Sequence, residues 1–171
     1  MFVTLWLGIL DVTTGEMSYC NAGHNPPYLC SASGEVIRLA KRHGPVLGAV
    51  EGLVYGEDSE TLQVGDYLFV YTDGVTEAMD PAGELYEEDR LVQVLEARDY
   101  DSVEELVAAS TDDVWRFQSD AEQADDVTVL AMRFTGREGG AAGTHHLEIE
   151  AANRFAEIDR VNRSFDEFAS A

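Results

Sequence analysis

The pattern of apolar and polar positions reads the first third of the chain as strands. Val3 to Leu10 is rich in apolar and β-branched residues, and Asp11-Val12-Thr13-Thr14-Gly15 supplies a turn. Glu16 to Ala22 then resumes in alternation, with Met17, Tyr19 and Asn21 on one face and Ser18 and Cys20 on the other. Tyr28 to Cys30, a Ser-Ala-Ser-Gly turn and Glu35 to Leu39 predict a second hairpin. Val54 to Leu62 and Tyr67 to Thr72 predict a third, folded about Val64-Gly65-Asp66.

After Asp73-Gly74 the period changes. Leu91, Val92, Val94 and Leu95 recur at helical spacing, as do Val103, Leu106, Val107, Val114 and Trp115. Asp101 or Ser102 is the expected cap of the second helix, with Glu104 and Glu105 in its first turn. A final strand is expected from Val127 to Phe134. Strands, then helices, then a strand indicate an α+β layered domain over residues 1–135. Residues 136–144, rich in glycine and without periodicity, read as a linker. Beyond it, His146 to Ile149 predicts a short strand and Ala152 to Phe168 an amphipathic helix.

Composition narrows the function. The hydrophobic fraction of 45% supplies a core, while 33 Asp+Glu against 11 Lys+Arg give a formal net charge of -22. That field repels nucleic acids and anionic membrane surfaces, so neither is an expected partner. An acidic surface also simply keeps a protein soluble, so only carboxylates at special positions qualify as ligands. Cys20 and Cys30 lack a C-x-x-C pattern and read as buried free thiols, in keeping with a cytoplasmic location. The apolar start is cut short by Asp11 and has neither a basic leader nor the length of a membrane span.

Candidate chemistry gathers at three places. In Phe69-Val70-Tyr71-Thr72-Asp73-Gly74 an apolar strand ends on a carboxylate at the sheet rim, and Gly74 leaves room beside it. The alternative is an ordinary Asp-Gly turn. In Asp125-Asp126-Val127-Thr128 a carboxylate pair precedes a strand, and alternation lets only one of the two reach a shared site; a solvated strand entrance is the alternative. Carboxylates at two strand rims suit Mg²⁺ or Mn²⁺ with water completing the shell. Two are too few to hold a pair of ions. Thirdly, Gly23 and the Pro26-Pro27 pair form a rigid loop that presents His24 and Asn25, either to a phosphate or merely to loop backbone groups. Arg42 and His43, rare basic residues in an acidic chain, either meet a phosphorylated partner or decorate a loop, and the second is the expected reading. The G-x-S-x-G, G-x-x-x-x-G-K-[ST] and G-x-G-x-x-G patterns are all absent.

The ordered series Phe2-Val3-Thr4-Leu5, Ala22-Gly23-His24-Asn25-Pro26-Pro27, Gly44-Pro45-Val46-Leu47-Gly48, Val64-Gly65-Asp66, Thr72-Asp73-Gly74-Val75-Thr76-Glu77 and Asp125-Asp126-Val127-Thr128 resembles the SpoIIE/RsbU-type branch of the metal-dependent (PPM, type 2C-like) serine/threonine protein phosphatases. The resemblance covers about residues 1–135. It implies part of an α-β-β-α sandwich that holds two Mn²⁺ or Mg²⁺ ions between its sheets. There the metals bind the phosphoryl oxygens and activate a water that attacks phosphorus in line. It also implies that Asp73 and Asp125 are metal ligands, Asp126 a brace for its neighbour, and Gly74, His24 and Asn25 loop support. The substrate implied is a phosphorylated anti-sigma-factor antagonist of a partner-switching pathway.

Two family motifs, G-D-x-x-D and D-V-x-G-H-G, lie upstream of the Phe-Val-Thr-Leu strand in relatives and are not in this chain. The expectation is therefore a truncated domain of low activity, prone to self-association or homodimerisation through open sheet edges. The alternative is a non-catalytic partner-binding module or a fragment without function. Residues 145–171 resemble the opening strand and helix of an anti-sigma-factor, histidine-kinase-like ATPase domain; an ordinary helix packed on the phosphatase core is the other reading.

Overall fold

The computed structural model describes residues 2–97, 100–137 and 145–154. The first hairpin forms as the alternation predicts. β1 (Leu5–Leu10) runs antiparallel to β2 (Glu16–Ala22), and Met17, Tyr19 and Asn21 are all buried on one face of β2. The second hairpin pairs β3 (Tyr28–Cys30) with β4 (Val36–Arg38).

The third expected hairpin does not form. β5 (Asp58–Thr61) pairs with β2, whereas β6 (Tyr67–Tyr71) lies between β3 and β7 (Val127–Arg137) in another sheet. The connection carries the chain from one layer to the other. Leu62 plugs the core between the sheets, Gly65 adopts a φ of 97°, and the Asp66 carboxylate accepts hydrogen bonds from the Gln63 and Ala32 amides at 2.7 and 2.9 Å. Period-two patterning identifies strands but is silent on their partners.

Two antiparallel sheets result, in the orders β1-β2-β5 and β4-β3-β6-β7-β8, where β8 is His145–Arg154. Met17, Tyr19, Leu29, Leu62, Leu68 and Phe134 fill the space between them. On the far face of the larger sheet, Tyr28, Phe69, Tyr71, Val127, Val129 and Ala131 pack against α2 (Glu87–Glu96) and α3 (Val103–Gln118). Burying each large apolar side chain contributes about 2 kcal/mol, which is why these layers stay together. This β-β-α stack is the expected part of the four-layer sandwich. The outer face of β1 leaves Leu5, Leu7 and Ile9 exposed.

Helix boundaries follow local chemistry. Ser102 caps α3, its hydroxyl accepting from the Glu105 amide at 3.2 Å. The residues after Thr72 form a short helix, α1 (Asp73–Thr76), which the turn-like Asp-Gly pair had not announced. The expected linker is shortened at its start, since Gly136 and Arg137 belong to β7; residues 138–144 lie outside the described region.

The tail differs from its sequence reading at one point. Ala152 to Arg154, expected to open a helix, continue β8, which pairs with β7 from Val127↔Arg154 to Phe134↔Leu147. Edge pairing and the half-burial of Leu147 and Ala152 against the two cores hold them extended. The remainder of the expected helix, residues 155–168, is outside the described residues. No helix among the described residues is long and apolar enough to cross a membrane.

Candidate metal centre

The rim where β6 ends and β7 begins gathers the acidic residues. Thr72 ties the two strands: its amide donates to the Thr128 carbonyl at 3.0 Å, and its hydroxyl accepts from the Thr128 amide at 2.9 Å and donates to the Asp126 carbonyl at 3.0 Å. One step on, Asp73 opens α1, its carbonyl accepting from the Glu77 amide at 2.8 Å and the Thr76 hydroxyl at 3.1 Å. Gly74 lies against the opposite segment; a Cβ there would stand 2.4 Å from the Asp126 carbonyl oxygen and 3.3 Å from that of Asp125. The backbones of residues 73–74 and 125–126 are thus in contact.

Both carboxylates remain open to solvent. Asp73 and Asp125 are exposed, and neither is salt-bridged among the described residues. Asp125 Oδ1 accepts its neighbour's amide, Asp126 N–H, at 2.7 Å, and its carbonyl accepts from Gln123 Nε2 at 2.7 Å. The first bond orients the Asp125 carboxylate and the second holds its backbone.

The β2–β3 loop reaches the same rim. The β3–β6 register pairs Tyr28 with Phe69 and Leu29 with Leu68. Beyond the strand, the loop carries the His24 imidazole near enough to the Asp73 carboxylate for the two to interact electrostatically. His24 is half-buried; burial holds its imidazole below the ordinary histidine pKa, and the nearby Asp73 carboxylate partly opposes this. His24 Nδ1 contacts the Thr4 hydroxyl at 3.2 Å. Its backbone is gripped by the fully buried Asn21, whose Oδ1 accepts from the His24 amide at 2.9 Å and whose Nδ2 donates to the His24 carbonyl at 3.0 Å. Asn25 is half-buried in the same loop.

The donor set is that of a hard cation: carboxylate oxygens on a rigid rim, with space for water. Its count is low. Among the described residues no group of three or more His, Cys, Asp or Glu side chains is arranged to hold a metal ion. Two carboxylates on one rim fall short of the ligand set that a tightly held pair of ions needs.

Sequence reasoning passed over Asn21 and His43. Asn21 read as one more inward position of an alternating strand, and His43 as loop decoration. In the structure the His43 side chain is 3% exposed, and its Nδ1 accepts the Asn21 amide at 2.9 Å. A polar residue on the buried face of β2 was the available signal, because buried amides are nearly always fully hydrogen-bonded.

Comparison with known proteins bears on what this rim does. The family model of Stage II sporulation protein E (SpoIIE) matches residues 1–135. Protein IcfG of Synechocystis sp. is 33% identical over 132 residues, covering 77% of this chain and 20% of that protein. Phosphoserine phosphatase RsbU of Bacillus subtilis is 28% identical over 133 residues, 78% of this chain and 39% of its own. Among solved structures, the RsbU and RsbW domains of Rv1364c from Mycobacterium tuberculosis align with a TM-score of 0.59 at 32% identity, over 76% of this chain and 35% of that one. The chain therefore spans well under half the length of each of these relatives.

Proposed function

The chain belongs to the SpoIIE family of type 2C-like phosphatase domains, and from that premise we propose that it is the C-terminal part of a metal-dependent phosphoserine/phosphothreonine protein phosphatase. The observation that supports this reading most directly is the contact of Gly74 with the Asp125–Asp126 backbone, which puts two exposed carboxylates, neither salt-bridged among the described residues, on one rim. In this reading Asp73 and Asp125 hold Mn²⁺ or Mg²⁺. A bound divalent cation would supply Lewis acidity toward a phosphoryl group and acidify a coordinated water.

The chain's own residues do the rest. Gly74 permits the close approach, Thr72 locks the β6–β7 rim, and Asp126 orients Asp125 through its amide. His24 faces the same rim and orients the phosphoryl group or its protein carrier. The substrate class is a phosphorylated regulatory protein, in line with the phosphoserine phosphatase RsbU among the relatives, and the family resemblance points to an anti-sigma-factor antagonist. Residues 145–171 as the opening of an ATPase domain remain part of this proposal.

A second reading, a non-catalytic module that keeps the partner-facing surface, is favoured by the low ligand count. Titration calorimetry with Mn²⁺ separates the two. The phosphatase reading expects weak, saturable binding that Asp73→Asn removes; equal binding by both chains would take Asp73 out of the site. Hydrolysis of a phosphoserine protein by this chain is expected to be slow, and robust Mn²⁺-dependent turnover would overturn the expectation of impairment.

A further inference from the structure

Asn21 is fully buried, so its backbone amide and its side chain must all find partners inside the protein. The side chain is spent on the His24 backbone. The amide goes to His43 Nδ1 at 2.9 Å, and the His43 amide returns a bond to the Asn21 carbonyl at 2.8 Å. An amide can only donate, so Nδ1 must carry no proton, and the neutral ring carries its proton on Nε2. That Nε2 is buried, makes no hydrogen bond among the described residues, and lies 3.5 Å from the Asp58 carboxylate.

Asp58 in turn accepts from Lys41 at 2.6 Å, which ties it to the same loop as His43. The Tyr19 ring meets the imidazole edge-on with centroids 5.4 Å apart, closing the remaining side. The segment from His43 to Val46 also backs the loop directly. Gly23 has a φ of 82°, and a Cβ there would stand 2.6 Å from Val46 Cγ1.

We infer that His43 is a positioning residue for the metal rim: through Asn21 it sets how His24 is presented beside Asp73. The proposal rests on the phosphatase reading only for what His24 is presented to. A ring protonated on Nδ1 offers no acceptor to Asn21, so the tautomer is part of the device. Replacing the acceptor atom alone should then preserve the loop. An Asn side chain places its Oδ1 where Nδ1 stood, whereas Leu keeps bulk without an acceptor.

The test uses the whole chain in solution NMR. Long-range ¹H–¹⁵N correlation of the imidazoles at neutral pH should show His43 as the Nε2–H tautomer. His43→Asn should leave the His24 ring and Asn21 side-chain amide resonances close to their original positions. His43→Leu should shift both and speed exchange of the Asn21 amide by roughly fivefold or more, the loss of one hydrogen bond. A proton on Nδ1, or equal displacement of His24 by the Asn and Leu variants, or none by Leu, would overturn the inference. If His43→Leu fails to fold, the tautomer and the Asn variant still decide. Added Mn²⁺ should broaden the His24 signals in the original chain. Absence of broadening with the tautomer intact would count against the metal reading and leave the role of His43 standing.

Discussion

A Cβ on Gly74 would lie 2.4 Å from the carbonyl oxygen of Asp126 and 2.8 Å from its carbonyl carbon. The obstacle is backbone, held in turn by the Thr72 hydroxyl, so it cannot swing aside like a flexible side chain. Gly74→Ala should therefore push the two acid-bearing segments apart. The expected cost is about 1–3 kcal/mol in urea unfolding, with a matching loss of Mn²⁺ affinity. Gly56→Ala, whose Cβ would meet nothing closer than 3.9 Å, serves as the control and should change little.

Much of this rim was legible because punctuation and chemistry coincide. An apolar run ending in Asp73-Gly74 and a strand beginning after Asp125-Asp126 mark two rims without any knowledge of pairing. The same patterning misassigned the partner of β5, since alternation tells which face is buried and not which strand lies alongside. It also missed His43, whose role depends on an acceptor 22 residues away from Asn21 in sequence. For Ala152 to Arg154, helical periodicity lost to the open edge of β7, a tertiary opportunity invisible in a local window.

Asp73 and Asp125 should act together on a cation. Asp73→Asn and Asp125→Asn are each expected to remove saturable Mn²⁺ binding in calorimetry. Asp126→Asn should weaken it by only roughly tenfold, because Asp126 braces Asp125 through a backbone amide that the substitution retains. If Asp126→Asn were the most damaging of the three, the assignment of ligand and brace would have to be exchanged.

Asp113 joins α2 to α3. It accepts from Arg90 Nε and from the Tyr86 hydroxyl, both at 2.9 Å, and from Arg116 at 3.0 Å. The hydrogen bond from Arg90 is the chief cause that holds its carboxyl below the ordinary aspartate pKa. A depressed folded-state pKa contributes stability that is present above the unfolded value of about 3.9 and is lost as pH falls through the folded value. Asp113→Asn should cost about 1 kcal/mol at neutral pH. Thermal melts at descending pH should bring the variant and the original chain together below the aspartate range. A constant gap at every pH would assign the cost to packing instead.

The two thiols should separate cleanly. Burial pushes the Cys30 thiol up to about 12, with Asp66 adding to the shift, and only the thiolate is nucleophilic. Cys20 is half-exposed on β2. Ellman's reagent at pH 8 should titrate Cys20 in the folded chain and both thiols in guanidinium. Rapid native reaction of Cys30, identified by mass spectrometry, would contradict its burial beneath α2 and α3.

β8 carries the last prediction. Its pairing with β7 closes an edge that would otherwise present unpaired amides and carbonyls beside Val127, Val129 and Ala131. Leu147 adds an apolar side chain to the core between the sheets, and Ala152 adds one to the core under the helices. Ending the chain after residue 137 should lower the melting temperature and make sedimentation velocity concentration-dependent, as exposed β7 edges meet. The substitution Leu147→Asp tests the packing separately. It keeps every backbone bond, so it should lower stability without promoting association to the same degree. If the shortened chain associated no more than the original and melted like it, β8 would be a passenger on the sheet and the core would end at β7.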